Sequence, residues 1–463
     1  MAKASTATDR AASGGPVQGP LYRLIWRWHF YAGLICLPFL VMMAATGLLY
    51  LFRDELSLVL ERDRLIAPPS VAAEAPRPSP EALIAAALAH QPGEAIRFTP
   101  PPASGRTAEV GVRAGPETIS VFLDPATGRV LDIVPQDMRP MTFISHIHSL
   151  AVLGDGPNLL IEIVGGWAIL LVASGLYLWW PRGQSGGVVT VRASPSRRLW
   201  WRDIHAVTGV MVGGVLLFLA VTGMPWANYW GKQYRNAIND WGLGAPASVK
   251  ATSVASDAAL AASKSGSWTM DGTAAPASAP LDQRLSAATL PITRIMAIGQ
   301  ARGLAPGYVV RLPTSPGGVF TLQLYPRQAT GQRVIHVDRY SGKVLADVGF
   351  ADYGPMAKAT EYAIAIHTGG QLGRANQIIL ALACLAIIGL GLAGAVAWWK
   401  RRPSGGLGAP PADRAGRTPL GLSLFALFAV GLGALFPLLG LSLIVAFVID
   451  RVAAALSARR ATA

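Results

Sequence analysis

The chain has 463 residues, of which 52% are hydrophobic and only 14% charged. That balance, together with several apolar runs of helix-spanning length, excludes an ordinary soluble globular protein and indicates a polytopic protein embedded in a lipid bilayer. The formal charge of +14 raises nucleic acid as a partner, but much of it borders the apolar segments, as the positive-inside rule expects, and no nucleic-acid module is visible.

Taken in order, residues 1–20 are polar and contain Gly, Pro and Ser, the composition of a disordered tail. Residues 21–52 form the first span. It is too long for the apolar core of a signal peptide and has no convincing cleavage site, so it reads as an uncleaved anchor with a cytoplasmic N-terminus. The segment 53–145 is then periplasmic. Residues 146–181 hold two histidines and the second span, which ends in YLWWPR. The loop 182–202 carries Arg182, Arg192, Arg197, Arg198 and Arg202, which places it in the cytoplasm. The third span is 203–227, and a second periplasmic segment follows at 228–366. Its Ala/Ser-rich stretch, 245–280, reads as a flexible insertion. Residues 367–400 give a further histidine and the fourth span, ending WWKRR, before a basic loop at 401–418.

The apolar stretch 419–449 contains Pro437 and is expected to be a single kinked fifth span, with 450–463 as a tail. A helical hairpin would instead keep Arg451, Arg459 and Arg460 on the cytoplasmic side, but with short limbs.

The chain repeats itself. At an offset of 176, His29 falls on His205, Gly33 on Gly209, Thr46 on Thr222 and Gly47 on Gly223. At an offset of 219, His148 falls on His367, Gly154 on Gly373, Gly175 on Gly394, and Trp179-Trp180 on Trp398-Trp399. The intervening segments repeat too: DPATGRVL at 124–131 matches DRYSGKVL at 338–345, each after an alternating strand pattern. Asp-x-x-Ser/Thr-Gly reads as a hairpin turn, and helices are expected ahead of the strands at about 79–90 and 291–303. The expected architecture is a membrane α-helical bundle. Its four core transmembrane helices form a duplicated pair, joined by a C-terminal hydrophobic segment and carrying two small α+β periplasmic modules.

The histidines carry the chemistry. Positions i, i+4 and i+18 share a helix face, so His29, Gly33 and Gly47 line one stripe, as do His205, Gly209 and Gly223. A histidine near the end of a membrane helix is costly unless it faces protein, water or a metal. A glycine one turn below leaves room for a flat macrocycle, so Gly33 and Gly209 are candidate cofactor contacts. The bland alternative is an interfacial histidine beside small packing residues. The repetition favours function, with His29 paired to His205 at one face and His148 to His367 at the other. Neutral imidazole is the common axial ligand of b-type haem, so these four histidines are candidate iron ligands for two b-type haems. There is no Cys-x-x-Cys-His, which excludes covalent c-type attachment.

His148 lies 32 residues before Trp180, which a straight helix would place ~48 Å away, so a break is expected at Gly154-Asp155-Gly156-Pro157. Thr368-Gly369-Gly370 is expected to act likewise. His146 has no counterpart at the offset of 219 and reads as an alternative ligand or a hydrogen-bond partner, while His90 and His336 read as structural. GLGLAG at 389–394 lies inside a span without a preceding strand, so it is helix packing and not a dinucleotide site. Cys36 and Cys384 both fall in apolar segments and support neither a disulfide framework nor a zinc site.

The combination of W-R-W-H-x-x-x-G with a later T-G, the H-x-H-S segment and the terminal W-W-[PK]-R, over residues 20–402, resembles the PepSY-associated transmembrane family. The resemblance implies that the two periplasmic modules are PepSY-like. It also implies a bacterial inner-membrane ferric-siderophore reductase: an oxidoreductase taking electrons from an unknown cytoplasmic or membrane donor, through two haems, to a periplasmic ferric siderophore. Arg139 and other basic or aromatic residues are expected to meet the anionic chelate. The rival classes are a non-enzymatic regulator or inhibitor of a periplasmic protease and a haem-linked quinol oxidoreductase subunit. The inhibitor makes no demand on four paired histidines.

Overall fold

A computed structural model describes residues 19–69, 76–182, 186–246, 267–270, 273, 275–278, 288–315, 317–410 and 420–462. Residues 1–18 of the tail expected at 1–20, and most of the insertion expected at 245–280, lie outside the described residues. Two compact units emerge, a helical one (Met1–Ala45, Leu159–Val221, Leu382–Ala463) and one containing the sheet (Thr46–Asn158, Thr222–Ala381).

The helices that matter, in chain order, are α1 (Pro20–Leu51), α2 (Pro80–His90), α3 (Pro140–His148), α4 (Asp155–Trp179), α5 (Arg198–Gly223), α6 (Ile292–Ala301), α7 (Pro355–His367), α8 (Gly373–Trp399), α9 (Leu420–Leu435) and α10 (Pro437–Thr462). Among the described residues four helices, α1, α4, α5 and α8, are long and apolar enough to cross a membrane. The shortest of them has 25 residues, or ~37 Å at 1.5 Å per residue, against a hydrocarbon core of ~30 Å. A membrane helix must satisfy its own backbone, and that requirement turns these apolar runs into helices despite their glycines and Pro38.

Within the helical unit, α9 and α10 are separated at Phe436. A Cβ on Gly433 would lie 2.9 Å from the Gly440 Cα. Seven residues of straight helix span ~10.5 Å, so the chain folds back on itself here. The tail is a helical hairpin rather than the single kinked span expected from sequence. Two glycines permit the approach, and α10 is held by contacts of its own. Trp167 Nε1 donates to Ser442 Oγ at 3.0 Å, and Arg27 donates to Asp450 at 2.6 Å. Leu439 lies where a Cβ on Gly166 would meet it at 3.0 Å.

The sheet unit contains one eight-stranded antiparallel sheet in the order β4-β3-β2-β1-β5-β6-β7-β8. Its strands are β1 (Glu94–Thr99), β2 (Ala108–Ala114), β3 (Glu117–Leu123), β4 (Val130–Pro135), β5 (Val309–Arg311), β6 (Phe320–Leu324), β7 (Arg333–Val337) and β8 (Val344–Gly349). The two strand groups expected as separate modules are joined through β1 and β5, in register Arg97↔Arg311 and Phe98↔Val310. Pairing two edges leaves fewer unpaired backbone groups than two isolated four-stranded sheets would. Phe98, Val110, Val121, Val310, Leu322 and Ile335 form the core under Leu83 and Ala87 of α2 and Ile292 and Ile295 of α6.

Helix α2 starts as its sequence dictates. The Ser79 hydroxyl accepts from the Ala82 N–H at 3.2 Å, with Pro80 in the first turn. Both Asp-x-x-Ser/Thr-Gly turns form. The Asp124 carboxylate accepts from Ala126 N at 2.9 Å and Thr127 Oγ1 at 2.7 Å, and Asp338 accepts from Ser341 N and Oγ at 2.8 Å each. Gly128 and Gly342 supply the positive φ angles of 76° and 71° that the turns require.

Candidate functional site

Two short helices end on histidines. α3 stops at His148 and α4 starts at Asp155, with Gly154 between them at a φ of 97°. α7 stops at His367, and the chain then turns through Gly369 and Gly373 at 77° and 66° before or as α8 begins. The breaks therefore lie where the glycines and Pro157 predict, because a left-handed backbone favours glycine and proline suits a helix's first turn.

In the helical unit, His29 of α1 and His205 of α5 face one another. Their ring centroids are 6.3 Å apart and their planes meet at 82°. Each Nδ1 has a hydrogen-bond partner. The Ser174 hydroxyl lies 2.8 Å from His29 Nδ1 and 2.7 Å from the Leu170 carbonyl; with its own proton on that carbonyl, it takes the ring N–H. His205 Nδ1–H donates to the Leu390 carbonyl at 2.9 Å. Each Nε2 therefore carries a lone pair, the state in which imidazole binds a metal. Two imidazoles on opposite sides of one ion would have centroids ~6.4 Å apart, from a metal–nitrogen bond of ~2.0 Å and roughly 1.2 Å from nitrogen to ring centre. The observed 6.3 Å is close to that spacing.

In the sheet unit, His148 Nδ1 lies 2.9 Å from Thr46 Oγ1, and His367 Nδ1 lies 2.8 Å from Thr222 Oγ1. The Trp226 ring stands edge-on to His367, at 5.7 Å and 78°. Burial, and then the neighbouring His148, push the His367 pKa down to about 3. His367 is thus neutral at neutral pH, and the two histidines are neighbours.

A glycine stands against each histidine. A Cβ on Gly175 would lie 3.4 Å from His29 Cε1, and one on Gly394 would lie 2.9 Å from His205 Nδ1. A Cβ on Gly47 would lie 3.4 Å from His148 Cε1, and one on Gly223 would lie 3.6 Å from His367 Cε1. Gly33 and Gly209, the glycines one turn from His29 and His205, have apolar neighbours: Leu171 at 3.9 Å and Leu390 at 3.4 Å from the corresponding Cβ positions.

Sequence reasoning missed the hydrogen-bonding shell. Thr46 and Thr222 coincide at the offset of 176, which was the available signal. Ser174 has Ala393 at the offset of 219, which leaves the backbone carbonyl of Leu390 to serve His205. Arg139 does not stand ready for an anionic chelate. Its guanidinium donates to Glu61 at 3.2 Å and to Glu109 at 3.3 Å, and it lies 5.2 Å from the Phe122 ring centroid. Both carboxylates are shared, Glu61 with Arg64 and Glu109 with Arg97.

The remaining histidines have local roles. His90 Nδ1 bonds the Ala86 carbonyl at 2.9 Å in the last turn of α2. His336 Nδ1 is 2.9 Å from Thr321 Oγ1 across the β6–β7 pair, and burial lowers its pKa to about 4. His146 makes no side-chain hydrogen bond among the described residues. In the 389–394 run, a Cβ on Gly391 would lie 2.9 Å from Leu37 and 3.0 Å from Val41, which is helix packing. Cys36 and Cys384 are buried free thiols.

A family model described as the PepSY-associated TM region matches residues 26–401. No curated protein matches the chain.

Proposed function

Since the chain belongs to the PepSY-associated transmembrane family, we propose that it is a di-haem electron carrier of the bacterial inner membrane that reduces ferric siderophores in the periplasm. The observation that carries this reading is the His29–His205 pair, at a spacing of 6.3 Å with both Nδ1 positions hydrogen-bonded. Gly175 and Gly394 support the reading in another way, since they let the His29 and His205 rings pack against the neighbouring helices in fixed positions. His148 and His367, with Gly47 and Gly223, form the second proposed site. The matching offsets of the four histidines and their glycines support an internal duplication. Without a Cys-x-x-Cys-His sequence, the haems are b-type.

A bound haem supplies a one-electron carrier at each site. The protein's part is to hold and tune it. His29 with His205, and His148 with His367, would hold the groups, and a haem held by two imidazoles would suit electron transfer rather than oxygen binding. Ser174 and the Leu390 carbonyl keep the Nδ1 protons, present Nε2 to the metal and fix the ring planes. Thr46 and Thr222 hold His148 and His367. The electrons come from a cytoplasmic or membrane donor. Siderophores bind Fe(III) through hard oxygen donors, and one electron converts it to Fe(II), which such donors hold less well, so the metal is released. The arginine-rich loops after the second and fourth spans support a cytoplasmic N-terminus.

The test is spectroscopic. A purified, haem-supplied chain is expected to give a pyridine haemochrome value near two per chain and Soret and α bands that shift with dithionite. Ferric siderophore is expected to reoxidise it faster than quinone does. A folded sample without haem overturns the whole reading. Reoxidation by quinone alone overturns the substrate and keeps the haems.

A further inference from the structure

Arg401 is an unusual cation. Its guanidinium lies 5.0 Å from the ring centroids of both Trp26 and Phe30. Its Nε is buried and has no hydrogen-bond partner among the described residues. The Lys400 ammonium donates to the Ser196 carbonyl at 3.0 Å, which ties this stretch to the start of α5. Burial, and then the Arg198 guanidinium, lower the Arg401 pKa. Among the described residues neither Arg198 nor Arg401 pairs with a carboxylate. Lys400 and Ser196 bring the ends of α8 and α5 together, so the two arginines stand at one end of the helical unit without a carboxylate partner, and a buried N–H donor without a partner is costly.

Their place in the fold says which anion. Arg198 lies seven residues before His205 on α5, close to two turns, so the two share a face. Arg401 lies seven residues beyond Gly394, the glycine against His205, and its N–H donates to the Trp398 carbonyl at 2.9 Å as α8 ends. On α5 the Arg198 backbone is displaced from that of His205 by about 10 Å, seven residues at 1.5 Å each, and Arg401 follows the end of α8 on the same side of Gly394. Phe30, under Arg401, is the residue after His29. Stacking on aromatic rings leaves the in-plane N–H groups of a guanidinium free for a carboxylate, which it binds in a two-pronged fork.

We propose that Arg401 and Arg198 form the carboxylate-binding end of the His29–His205 site and receive the two propionates of its haem. This rests on the haem reading of that pair. It adds two residues and a direction: the propionate edge points along α5 toward Arg198.

The test compares haem with its dimethyl ester, which lacks both carboxylate charges. The full chain carries His148→Ala, so that only the His29–His205 site is loaded, and transfer of the bound group to excess apomyoglobin is timed. R401Q and R198Q are each expected to speed haem loss about tenfold, as loss of a hydrogen bond to a charged group implies. With the ester, the unsubstituted arginines are expected to give the fast rate already, and R401Q to add nothing. R198Q alters an exposed position and serves if R401Q does not fold. Equal haem-loss rates with and without the arginines overturn the proposal, as does an R401Q effect of the same size on haem and ester. If the variants shed co-purifying anionic phospholipid while haem loss is unchanged, the pair binds lipid and the proposal is wrong. A chain that takes up no haem at all overturns the underlying reading, and this proposal falls with it.

Discussion

Replacing Gly394 by alanine tests the crowding around His205. The added Cβ would lie 2.9 Å from Nδ1 and 3.1 Å from Cε1 of that ring. Real Cβ atoms do not sit that close, so the imidazole must move. It is held by its bond to the Leu390 carbonyl at 2.9 Å, and moving it strains or breaks that bond. In a helix interior Gly→Ala contributes about 1 kcal/mol by propensity. Against this, losing the hydrogen bond costs about 1 kcal/mol, and leaving a buried N–H unpaired brings the cost to about 1–3 kcal/mol. The ring displacement adds to that, so the local balance is unfavourable. Gly213→Ala, inside α5, is the control. Its Cβ would meet Val172 Cγ1 at 3.6 Å, ordinary contact, so the helix-propensity gain is kept. Haem titration under limiting haem is expected to show one of the two sites weakened about tenfold in Gly394→Ala, the equivalent of 1.4 kcal/mol. Gly213→Ala is expected to keep both sites at full affinity and to melt no lower than the parent. Equal behaviour of the two variants would refute the crowding argument.

Three further outcomes follow from other contacts. Ser174→Ala removes the acceptor of the His29 ring N–H and makes that imidazole a poorer donor to iron. One haem midpoint is expected to rise while the other stays, with Ser174→Thr restoring it; a shift of both midpoints, or of neither, counts against the assignment. Burial works against the Glu109 carboxylate, but Arg97, Arg139 and the Ser120 hydroxyl outweigh it and hold the pKa below 4.5. A folded pKa below the unfolded one stabilises above pH 4.5 and loses that stabilisation as pH falls through the folded value. Glu109→Gln should therefore flatten the acid side of the melting curve, and an unchanged acid slope would show that the carboxylate is not the group responsible. Finally, a reporter fused after Ala463 is expected to read the same side of the membrane as one after Arg402, because α9 and α10 form a hairpin; readings on opposite sides would restore a single span.

The spans and strand turns were legible because each is dictated locally. Lipid leaves an apolar run little choice but helix, and Asp-x-x-Ser/Thr-Gly closes its turn with its own side chains. Two features were not legible. The β1–β5 pairing joins residues 97 and 311, and nothing near either residue announces the other. In the tail, Pro437 marks a break but not its angle. The angle depends on Gly433 meeting Gly440 and on Trp167, Arg27 and Gly166 receiving α10. Arg139 was misread for the same reason, since Glu61 and Glu109, which accept its hydrogen bonds, are distant in sequence.

The histidine site shows where reasoning along one helix stops. Spacing correctly marked His29, Gly33 and Gly47 as one stripe of α1, and the histidine was assigned the glycine nearest to it on that stripe. Yet a helix side chain covers the surface of its neighbour as well as its own, so the glycine that matters to a histidine can stand on another element. His29 lies against Gly175, His205 against Gly394, His148 against Gly47 and His367 against Gly223. All four of these glycines stood out in the repeat, at offsets of 176 and 219, but the offsets match copies and do not say which residues touch. The departure from the repeat is as informative as the repeat. Where one copy has Ser174, the other has Ala393, and the ring N–H turns from a hydroxyl to the Leu390 carbonyl. Two histidines that coincide at the offset of 176 therefore hold their Nδ1 atoms against different groups, and the single oxygen atom separating Ser174 from Ala393 is what distinguishes them.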